Sequence, residues 1–368
     1  HCPNIVSCKW YFRLKQKSKI WLNGVYEKKY SCPTCKVTSF VVRQRKRKDS
    51  IVYYCKRCQR YFSVNVHFID TKSILIDHLN GLSYRKLEEK YQIKKSTVCR
   101  IVLSELKKLP NNNEFTKMYC NSFSQVILVD GKYVNVKGYP HKIPLLWGVD
   151  YFTHDIPIFT LAPSENYQSW ARFFSLYRII SYFPQLMVCD DNTSLKMAAR
   201  YAFPKIRVQT CWNHFKENIR KELNVRSDPT YRYISVAVDN ILSHRQPTSM
   251  FNERFQRLYD KYSSNPVTQQ VLMNVQKNKT ELLAYKWIRK SPYTNNLIEC
   301  FNSHLEARLT PLKGFNSFEN ARLWLNGYVL KRRFTAFTSC SRKFRHLNGK
   351  KSVELTKKKD IVLPTLFG

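Results

Sequence analysis

Two pairs of cysteines near the beginning of the chain have the spacing of a metal site. Cys32 and Cys35 form the first pair, Cys55 and Cys58 form the second, and 19 residues lie between the pairs. Two tight turns at this spacing can bring four thiolates to one tetrahedral Zn²⁺. The segment between them predicts two strands that flank a basic turn at residues 43–48. The pattern therefore predicts a zinc ribbon with one structural Zn²⁺.

A disulfide framework and a redox-active pair are the competing interpretations of these cysteines. The chain is basic and shows no secretory signal, which disfavours disulfides, and a redox site does not explain two pairs. Cys2 and Cys8 lie too far upstream to be needed for this site, although with a longer upstream segment they could belong to a second zinc site.

Three acidic residues stand in apolar surroundings, where an ionised carboxylate is costly. Asp130 lies within an apolar predicted strand, Asp190 closes another, and Glu299 lies on a predicted helix at residues 295–308. Each acid has a simpler explanation when it is taken alone. Asp130 could cap the turn at Gly131, and Glu299 could be a surface residue of an amphipathic helix.

The elements around these acids follow a recognisable order. The predicted elements are strands at 124–136, 143–151 and 156–162, a helix at 166–183, a strand at 185–189, a helix at 194–203, a strand at 206–210 and a helix from Cys211. Three strands followed by alternating helices and strands is the order of an RNase H-like fold. In that fold a mixed sheet carries carboxylates on its first and fourth strands, which here hold Asp130 and Asp190.

Three blocks of the sequence resemble the Mutator-type DDE transposases and their bacterial insertion-sequence relatives, over roughly residues 124–335. The blocks are VDGKYV at 129–134, VCDDNTSLKMAARYAFPKIRVQTCWNHFKENI at 188–219 and TNNLIECFNSHLEARL at 294–309. They occur in the order that this family shows. The resemblance implies an RNase H-like catalytic core with an all-helical insertion, since 108 residues separate Asp190 from Glu299.

The same resemblance implies which residues are catalytic. Asp130, Asp190 and Glu299 match the family's acids, which hold two Mg²⁺ (or Mn²⁺) at which DNA strands are cut and joined. Carboxylate oxygens are hard ligands that suit Mg²⁺ on chemical grounds as well. In the Asp190-Asp191 pair, the family block places the catalytic acid five positions before Leu195, which selects Asp190.

Five further residues in this region are candidates for supporting roles. Cys211 and His214 begin a helix, and the resemblance implies that they support the active site by positioning DNA or the acids. A zinc site is disfavoured because no second Cys-His pair completes a tetrahedron, and a cysteine nucleophile would not need three acids. Asp150, Asp155 and Glu165 are assigned to salt bridging or capping and left out of the site.

Residues 71–107 have helical periodicity that indicates a helix-turn-helix, with its second helix beginning near Ser96. In such a unit the start of the second helix enters the major groove. A helical hairpin with a basic, solvated face is the alternative. The predicted DNA-binding residues are Lys94, Lys95, Ser96, Thr97 and Arg100 of this unit, Arg45, Lys46 and Arg47 of the ribbon turn, and Arg308 and Lys313 after the third block.

The charge of the chain points to the same partner. Lys and Arg number 63 and Asp and Glu 26, a net charge of +37, which is expected of a protein that lies along a polyanion. An acidic membrane surface is the weaker alternative, because no apolar run reaches about 18 residues. With 43% hydrophobic residues the chain can form a core, which excludes a disordered protein.

These observations divide the chain into six parts. The predicted domains are a zinc ribbon (1–70), a helix-turn-helix domain and linker (71–118), the first part of the catalytic core (119–223), the all-helical insertion (224–290), the last part of the core with the Glu299 helix (291–340) and a basic C-terminal tail (341–368). The overall class is α/β. Trp287 is expected in the core of the insertion, with stacking on a displaced base as the alternative.

The predicted function is that of a metal-dependent DNA transposase. It would bind double-stranded DNA at the terminal inverted repeats of its element, cut it, and join it to target DNA as a homodimer or larger assembly. Its predicted location is inside the cell with the DNA, in the nucleus or the nucleoid. The alternatives are a domesticated, non-catalytic DNA-binding regulator and an RNase H-fold nuclease without strand transfer.

Overall fold

A computed structural model describes residues 30–47, 50–65 and 70–367. Cys2 and Cys8 lie outside the described residues, as does the side chain of Lys46. The chain divides into two compact units, and the boundary in the sequence lies between Asp70 and Thr71. Within the described ranges, no helix has the length and apolarity needed to cross a membrane.

The first unit contains a three-stranded antiparallel sheet. Its strands are β1 (Val41–Lys46), β2 (Ser50–Cys55) and β3 (Arg60–Asn65), in the order β1-β2-β3. Tyr53 packs against Tyr30 and Phe62, with ring centroids 5.2 and 5.7 Å apart. In the described part of this unit, the buried hydrophobic residues are Cys32, Val52 and Cys55. So small a core cannot hold a domain by hydrophobic burial alone.

The second unit begins with four helices. They are α1 (Thr71–Leu79), α2 (Tyr84–Tyr91), α3 (Lys95–Lys108) and α4 (Asn112–Tyr119). Gly81 turns the chain after α1 with a φ of +101°, and Ser83 caps α2 by accepting a hydrogen bond from the Lys86 N–H. Gln92 ends α2 in the left-handed region, so the turn into α3 is three residues long. Both α1 and α2 pack on α3.

A five-stranded mixed sheet follows. Its strands are β4 (Val126–Val134), β5 (Ile143–Asp150), β6 (Phe159–Leu161), β7 (Leu186–Cys189) and β8 (Arg207–Thr210), with helices α5 (Tyr167–Ile179) after β6 and α6 (Thr193–Ala202) after β7. The strand order is β6-β5-β4-β7-β8. The pairs β4/β5 and β5/β6 are antiparallel, whereas β4/β7 and β7/β8 are parallel.

The sheet has two differently covered faces. Ile127 and Val129 of β4, with Met187 and Cys189 of β7, belong to a core cluster that α5 and α6 complete. Because side chains alternate along a strand, the intervening residues of β4 and β7 face the opposite side. A later helix covers that side and is described below.

Helices make up residues 212–287, apart from their connections. They are α7 (Trp212–Glu222), α8 (Arg232–Ile241), α9 (Thr248–Tyr262), α10 (Pro266–Leu282) and a 3₁₀ turn (Ala284–Trp287). Their apolar faces share a separate core that includes Phe215, Val238 and Leu272. Gln209 of β8 joins this segment to the sheet, since its amide donates to the Leu282 carbonyl and accepts from the Tyr285 N–H.

Trp287 is not in that core. Its side chain is 64% exposed, and the Arg207 guanidinium lies 3.3 Å from its ring centroid. The prediction of core packing was wrong because the short 3₁₀ turn ends at this residue and turns its ring outward beside β8. An exposed ring that is covered on one side by a cation keeps its other side available for stacking.

The last helices are α11 (Asn296–Leu309), α12 (Phe318–Phe334) and α13 (Ser352–Thr356), with 3₁₀ turns at Thr310–Leu312 and Arg342–Leu347. Helix α11 covers the second face of the sheet and contacts β4. Gly314 has a φ of +108° and lies close to Asn135. A Cβ on Gly314 would lie 3.0 Å from the backbone oxygen of Asn135. This turn returns the chain to α12.

The prediction of a basic C-terminal tail is corrected by the position of α13. The Ser352 and Thr356 hydroxyls donate to the buried carboxylate of Asp155 at 2.8 and 2.6 Å. Arg333 of α12 is fully buried and pairs with both oxygens of Asp155 at 2.8 Å. Val353 of α13 packs with Phe115 and Leu330 in a hydrophobic core. A buried charge pair needs these additional donors, so this part of the segment is structural.

Candidate active site

Asp130 is held on β4 with a fixed orientation. Its Oδ1 accepts a hydrogen bond from the Gly131 N–H at 2.9 Å, and its Oδ2 accepts from the Asn302 amide on α11 at 2.6 Å. Asn302 in turn accepts from the Trp147 indole N–H at 3.1 Å. Burial, with the charge of nearby Asp190, raises the pKa of Asp130 to about 7. The carboxylate is therefore oriented and easily protonated without a cation.

Asp190 lies beside Asp130 because of the strand register. Leu128 of β4 pairs with Val188 of the parallel strand β7, and each acid is two residues beyond that pair. Neighbouring strands are about 4.8 Å apart, and positions two residues apart share a face of the sheet. The Asp190 Oδ1 accepts a hydrogen bond from the Asn192 N–H at 3.2 Å.

Glu299 occupies the first turn of α11, one turn before Asn302. Residues three apart share a helix face, so Glu299 is on the side of α11 that meets Asp130. Its Oε1 lies 3.8 Å from Nδ1 of His214. Among the described residues, the ligand atoms of Cys211, His214 and Glu299 lie within 4.8 Å of one another, and the three acids do not form such a group.

Cys211 connects α7 to α11. Its buried thiol donates to the Asn295 side-chain oxygen at 3.0 Å and accepts from the Asn295 N–H at 3.4 Å. Since Asn295 immediately precedes α11, this contact fixes the start of the helix that carries Glu299. Interaction with the Cys211 thiol raises the pKa of His214, and the charges of Glu299 and Asp190 act in the same direction. Cys211 and His214 therefore lie at the same site as the predicted catalytic acids.

Glu165, which the sequence assigns to salt bridging or capping, does not cap α5 and instead contacts the segments that carry Asp130 and Asp190. Asn166 caps α5 instead, by accepting from the Ser169 N–H at 2.9 Å. The Glu165 carboxylate accepts hydrogen bonds from the Tyr133 hydroxyl and the Asn192 amide. The available signal in the sequence was Gly131, because a glycine within a strand marks a close approach of another group.

The donor set of this site fits a hard divalent cation. Asp130, Asp190 and Glu299 present carboxylate oxygens, which Mg²⁺ and Mn²⁺ prefer. Asp130 keeps free lone pairs beyond its two hydrogen bonds. Glu306, in contrast, is exposed, and its carboxylate pairs with Lys132 at 2.8 Å.

The raised pKa of Asp130 predicts a pH-dependent effect of Asp130→Asn on the cation-free chain. A carboxylate whose folded pKa of about 7 exceeds its ordinary value destabilises the fold progressively as pH rises, and the full penalty is present above pH 7. Between pH 5 and pH 8 the free energy of unfolding of Asp130→Asn should improve by about 2 to 3 kcal/mol relative to wild type. Urea titrations at both pH values measure it. Glu306→Gln is the control, and an equal difference at the two pH values would contradict the prediction.

The four cysteines of the first unit converge. The Sγ atoms of Cys32 and Cys58 are 3.9 Å apart, those of Cys35 and Cys55 are 3.7 Å apart, and all four lie within 4.8 Å of one another. A tetrahedron with Zn–S bonds of about 2.3 Å has S···S edges of about 3.8 Å. Backbone N–H groups of Cys35 and Thr34 lower the pKa of Cys32 to about 6, whereas the neighbouring Cys35 thiol and burial raise the pKa of Cys58 to about 12.

The predicted DNA-binding side chains are largely accessible. Lys94, Lys95, Ser96 and Arg100 are exposed at the start of α3, whereas Thr97 is half-buried. The remaining described candidates differ in exposure: Arg45, Arg47 and Lys313 are exposed, and Arg308 is half-buried and donates to the His304 carbonyl at 2.8 Å. The start of α3 therefore carries a compact set of donors.

Comparison with known proteins identifies the family. The model of the Mutator family of transposases matches residues 9–325, which is well over half of the chain. The chain therefore belongs to the Mutator family of transposases, and the resemblance drawn from its three motif blocks is confirmed. No curated protein matches the sequence.

Among the solved structures that match, one is similar over part of the chain. It is a chain of the cryo-EM structure of the simian T-cell lymphotropic virus intasome in complex with PP2A regulatory subunit B56 gamma, with 12% sequence identity. The match covers 55% of the present chain and 65% of that chain, with a TM-score of 0.20. The present sequence thus spans less than two thirds of that chain.

Proposed function

We propose that the chain is a metal-dependent DNA transposase that cuts and joins DNA strands at Asp130, Asp190 and Glu299. The observation that carries this proposal is the register of β4 and β7, which puts Asp130 and Asp190 side by side on one face of the sheet. Helix α11 adds Glu299 on that face and an amide that orients Asp130. Membership of the Mutator family supports the assignment.

The chemistry proposed here is in-line displacement at a DNA phosphate. When bound, two Mg²⁺ (or Mn²⁺) activate the attacking oxygen and stabilise the leaving oxygen. Asp130 and Asp190 would hold them, and Glu299 would complete the ligand set from α11. The bond from Asn302 keeps the Asp130 carboxylate from rotating, and Cys211 holds the start of α11. His214, whose Nδ1 lies 3.8 Å from the Glu299 carboxylate, is proposed to contact the DNA phosphate when protonated.

The proposed architecture is an RNase H-like core interrupted by a helical insertion. The sheet order and the mixture of parallel and antiparallel pairs support it. Residues 119–223 and 291–340 would form the core, and residues 224–290 the insertion. Residues 71–118 would be the helix-turn-helix domain with its linker, and residues 1–70 a zinc ribbon with one Zn²⁺.

The proposed partner is double-stranded DNA at the element's terminal inverted repeats and at the target. The exposed start of α3 is suited to a major groove, and the charge of +37 is suited to phosphates. Two ends must be joined in concert, so we propose a dimer or larger assembly on DNA. It would act inside the cell, wherever its DNA is.

Arg100→Ala should reduce the preference for element-end DNA over random DNA, since we propose that its exposed guanidinium contacts base edges. Loss of one such contact costs about 1 to 3 kcal/mol of discrimination, whereas loss of a phosphate contact weakens all DNA alike. Lys94→Ala is the matched control and should lower both affinities and the salt dependence. Fluorescence anisotropy over a salt series measures both. If Arg100→Ala lowers the affinity for element-end and random DNA equally, Arg100 contacts phosphates and does not contribute to sequence preference.

An assay on duplex DNA that carries the element's end distinguishes this function from its two alternatives. A transposase should nick the end and join it to a target duplex in the presence of Mg²⁺. A nuclease would release cut ends without joined product. A regulator would shift the duplex in a gel without cutting it.

A further inference from the structure

Glu165 is a charged residue at the candidate site to which the proposed mechanism gives no role. It lies in the connection between β6 and α5. Its Oε1 accepts a hydrogen bond from the Asn192 side-chain amide at 2.9 Å, and its Oε2 accepts from the Tyr133 hydroxyl at 2.6 Å. Tyr133 is on the strand that carries Asp130, and Asn192 follows Asp190 by two residues. The carboxylate therefore links the two segments that hold these acids.

Gly131, which follows Asp130 on β4, leaves room for the Glu165 carboxylate because it has no side chain. A Cβ on Gly131 would lie 2.7 Å from the Glu165 Oε2 and 2.9 Å from its carboxyl carbon. Such distances are shorter than van der Waals contact, so any side chain at position 131 would displace Glu165. The absence of a side chain next to Asp130 is thus explained by Glu165.

Asn192 transmits the position of Glu165 to Asp190. Its side-chain oxygen caps α6 by accepting from the Leu195 N–H at 3.1 Å, while its side-chain amide donates to Glu165. Its backbone N–H donates to the Asp190 Oδ1 at 3.2 Å. With both ends of the side chain bonded, Asn192 has one orientation, and the Asp190 carboxylate is held by its backbone.

We propose that Glu165 is a positioning residue of the cation site, an inference that rests on the proposed function above. Through Asn192 and Tyr133 it holds the loop of Asp190 against the strand of Asp130. Its negative charge also lies near Asp130 and adds to the field that attracts a divalent cation. Residues that orient metal ligands through hydrogen bonds contribute about 10- to 100-fold to metal affinity.

Binding of Mn²⁺ to the zinc-loaded full chain tests the proposal without reference to activity. The unbound Mn²⁺ is quantified by electron paramagnetic resonance. Glu165→Gln keeps the shape and removes the charge, and it should weaken Mn²⁺ binding about tenfold or more. Tyr133→Phe removes one of the two hydrogen-bond donors to Glu165 and should weaken Mn²⁺ binding by a smaller factor. Glu319→Gln, which removes an exposed carboxylate paired with Arg322, is the control and should bind like wild type.

The cleavage assay should distinguish an effect on cation affinity from an effect on the cleavage rate. The Mg²⁺ concentration for half-maximal cleavage by Glu165→Gln should rise by the factor seen for Mn²⁺. The rate at saturating Mg²⁺ should change much less, because the proposed ligands are intact. A residue that only stabilises the fold would lower the rate at every Mg²⁺ concentration and leave the affinity unchanged.

The outcomes separate the two proposals. If Asp190→Asn loses Mn²⁺ binding while Glu165→Gln and Tyr133→Phe bind like wild type, the role of Glu165 is overturned and the proposed function stands. If Asp130→Asn and Asp190→Asn both bind Mn²⁺ like wild type, the proposed cation site itself is wrong. If circular dichroism shows that Glu165→Gln does not fold, Tyr133→Phe decides, and wild-type affinity in that variant overturns the proposal.

Discussion

Replacement of Asp130, Asp190 or Glu299 by Ala is expected to lower strand cleavage about a thousandfold or more, because each change removes a proposed ligand of the cations, and such cations stabilise a transition state by several kcal/mol. DNA binding should persist. It should even strengthen, since a negative charge is removed from a phosphate site. Cleavage on element-end DNA and binding by anisotropy are measured for the same preparations.

Glu306→Ala is the matched control for this experiment. Glu306 lies on the same helix as Glu299, but it is exposed and pairs with Lys132. This variant should cut DNA at close to the wild-type rate. A Glu299→Ala variant with normal cleavage would show that the acid is misassigned, and Glu306 would then be tested as its replacement.

Removal of zinc is expected to unfold the first unit and to leave the second folded. The described part of the first unit buries little beyond its cysteines, so we expect the proposed Zn²⁺ to supply much of the folding free energy of this part. Elemental analysis should find one zinc per chain. After chelation, limited proteolysis should cut within residues 30–65 and spare residues 71–367, and binding to element ends should weaken.

A cysteine outside the cluster provides the control for zinc content. Cys340 belongs to the second unit and is not among the four converging thiols. Cys340→Ser should retain one zinc per chain, whereas Cys55→Ser should lose it. A wild-type chain that contains no zinc would contradict the assignment.

Features that depend on local pattern were predictable from the sequence. Strand periodicity and apolar flanks located Asp130 and Asp190, and the order of the elements made their strands neighbours in the sheet. The spacing of the cysteine pairs predicted the convergence that the Sγ distances describe. The second helix of the predicted helix-turn-helix begins at Lys95, one residue from the expected start.

Features that depend on distant contacts were not predictable in this way. Asp155 binds Arg333 and Thr356, which follow it by 178 and 201 residues, and no local pattern distinguishes these from surface residues. The role of Glu165 depends on Tyr133 and Asn192, each about 30 residues away along the chain. The position of Glu165 at a helix start favoured its assignment to salt bridging or capping, because propensity describes neighbours in sequence and not in space.

Substitution of sulfur for the leaving oxygen at the scissile phosphate tests the central claim most directly. Mg²⁺ binds sulfur poorly, whereas the softer Mn²⁺ accepts it. If cations held by Asp130, Asp190 and Glu299 stabilise the leaving atom, cleavage of the sulfur-substituted element end should fall steeply in Mg²⁺ and recover in Mn²⁺, relative to the unmodified end. Equal cleavage of both ends in Mg²⁺ would contradict metal-assisted strand cleavage at this site.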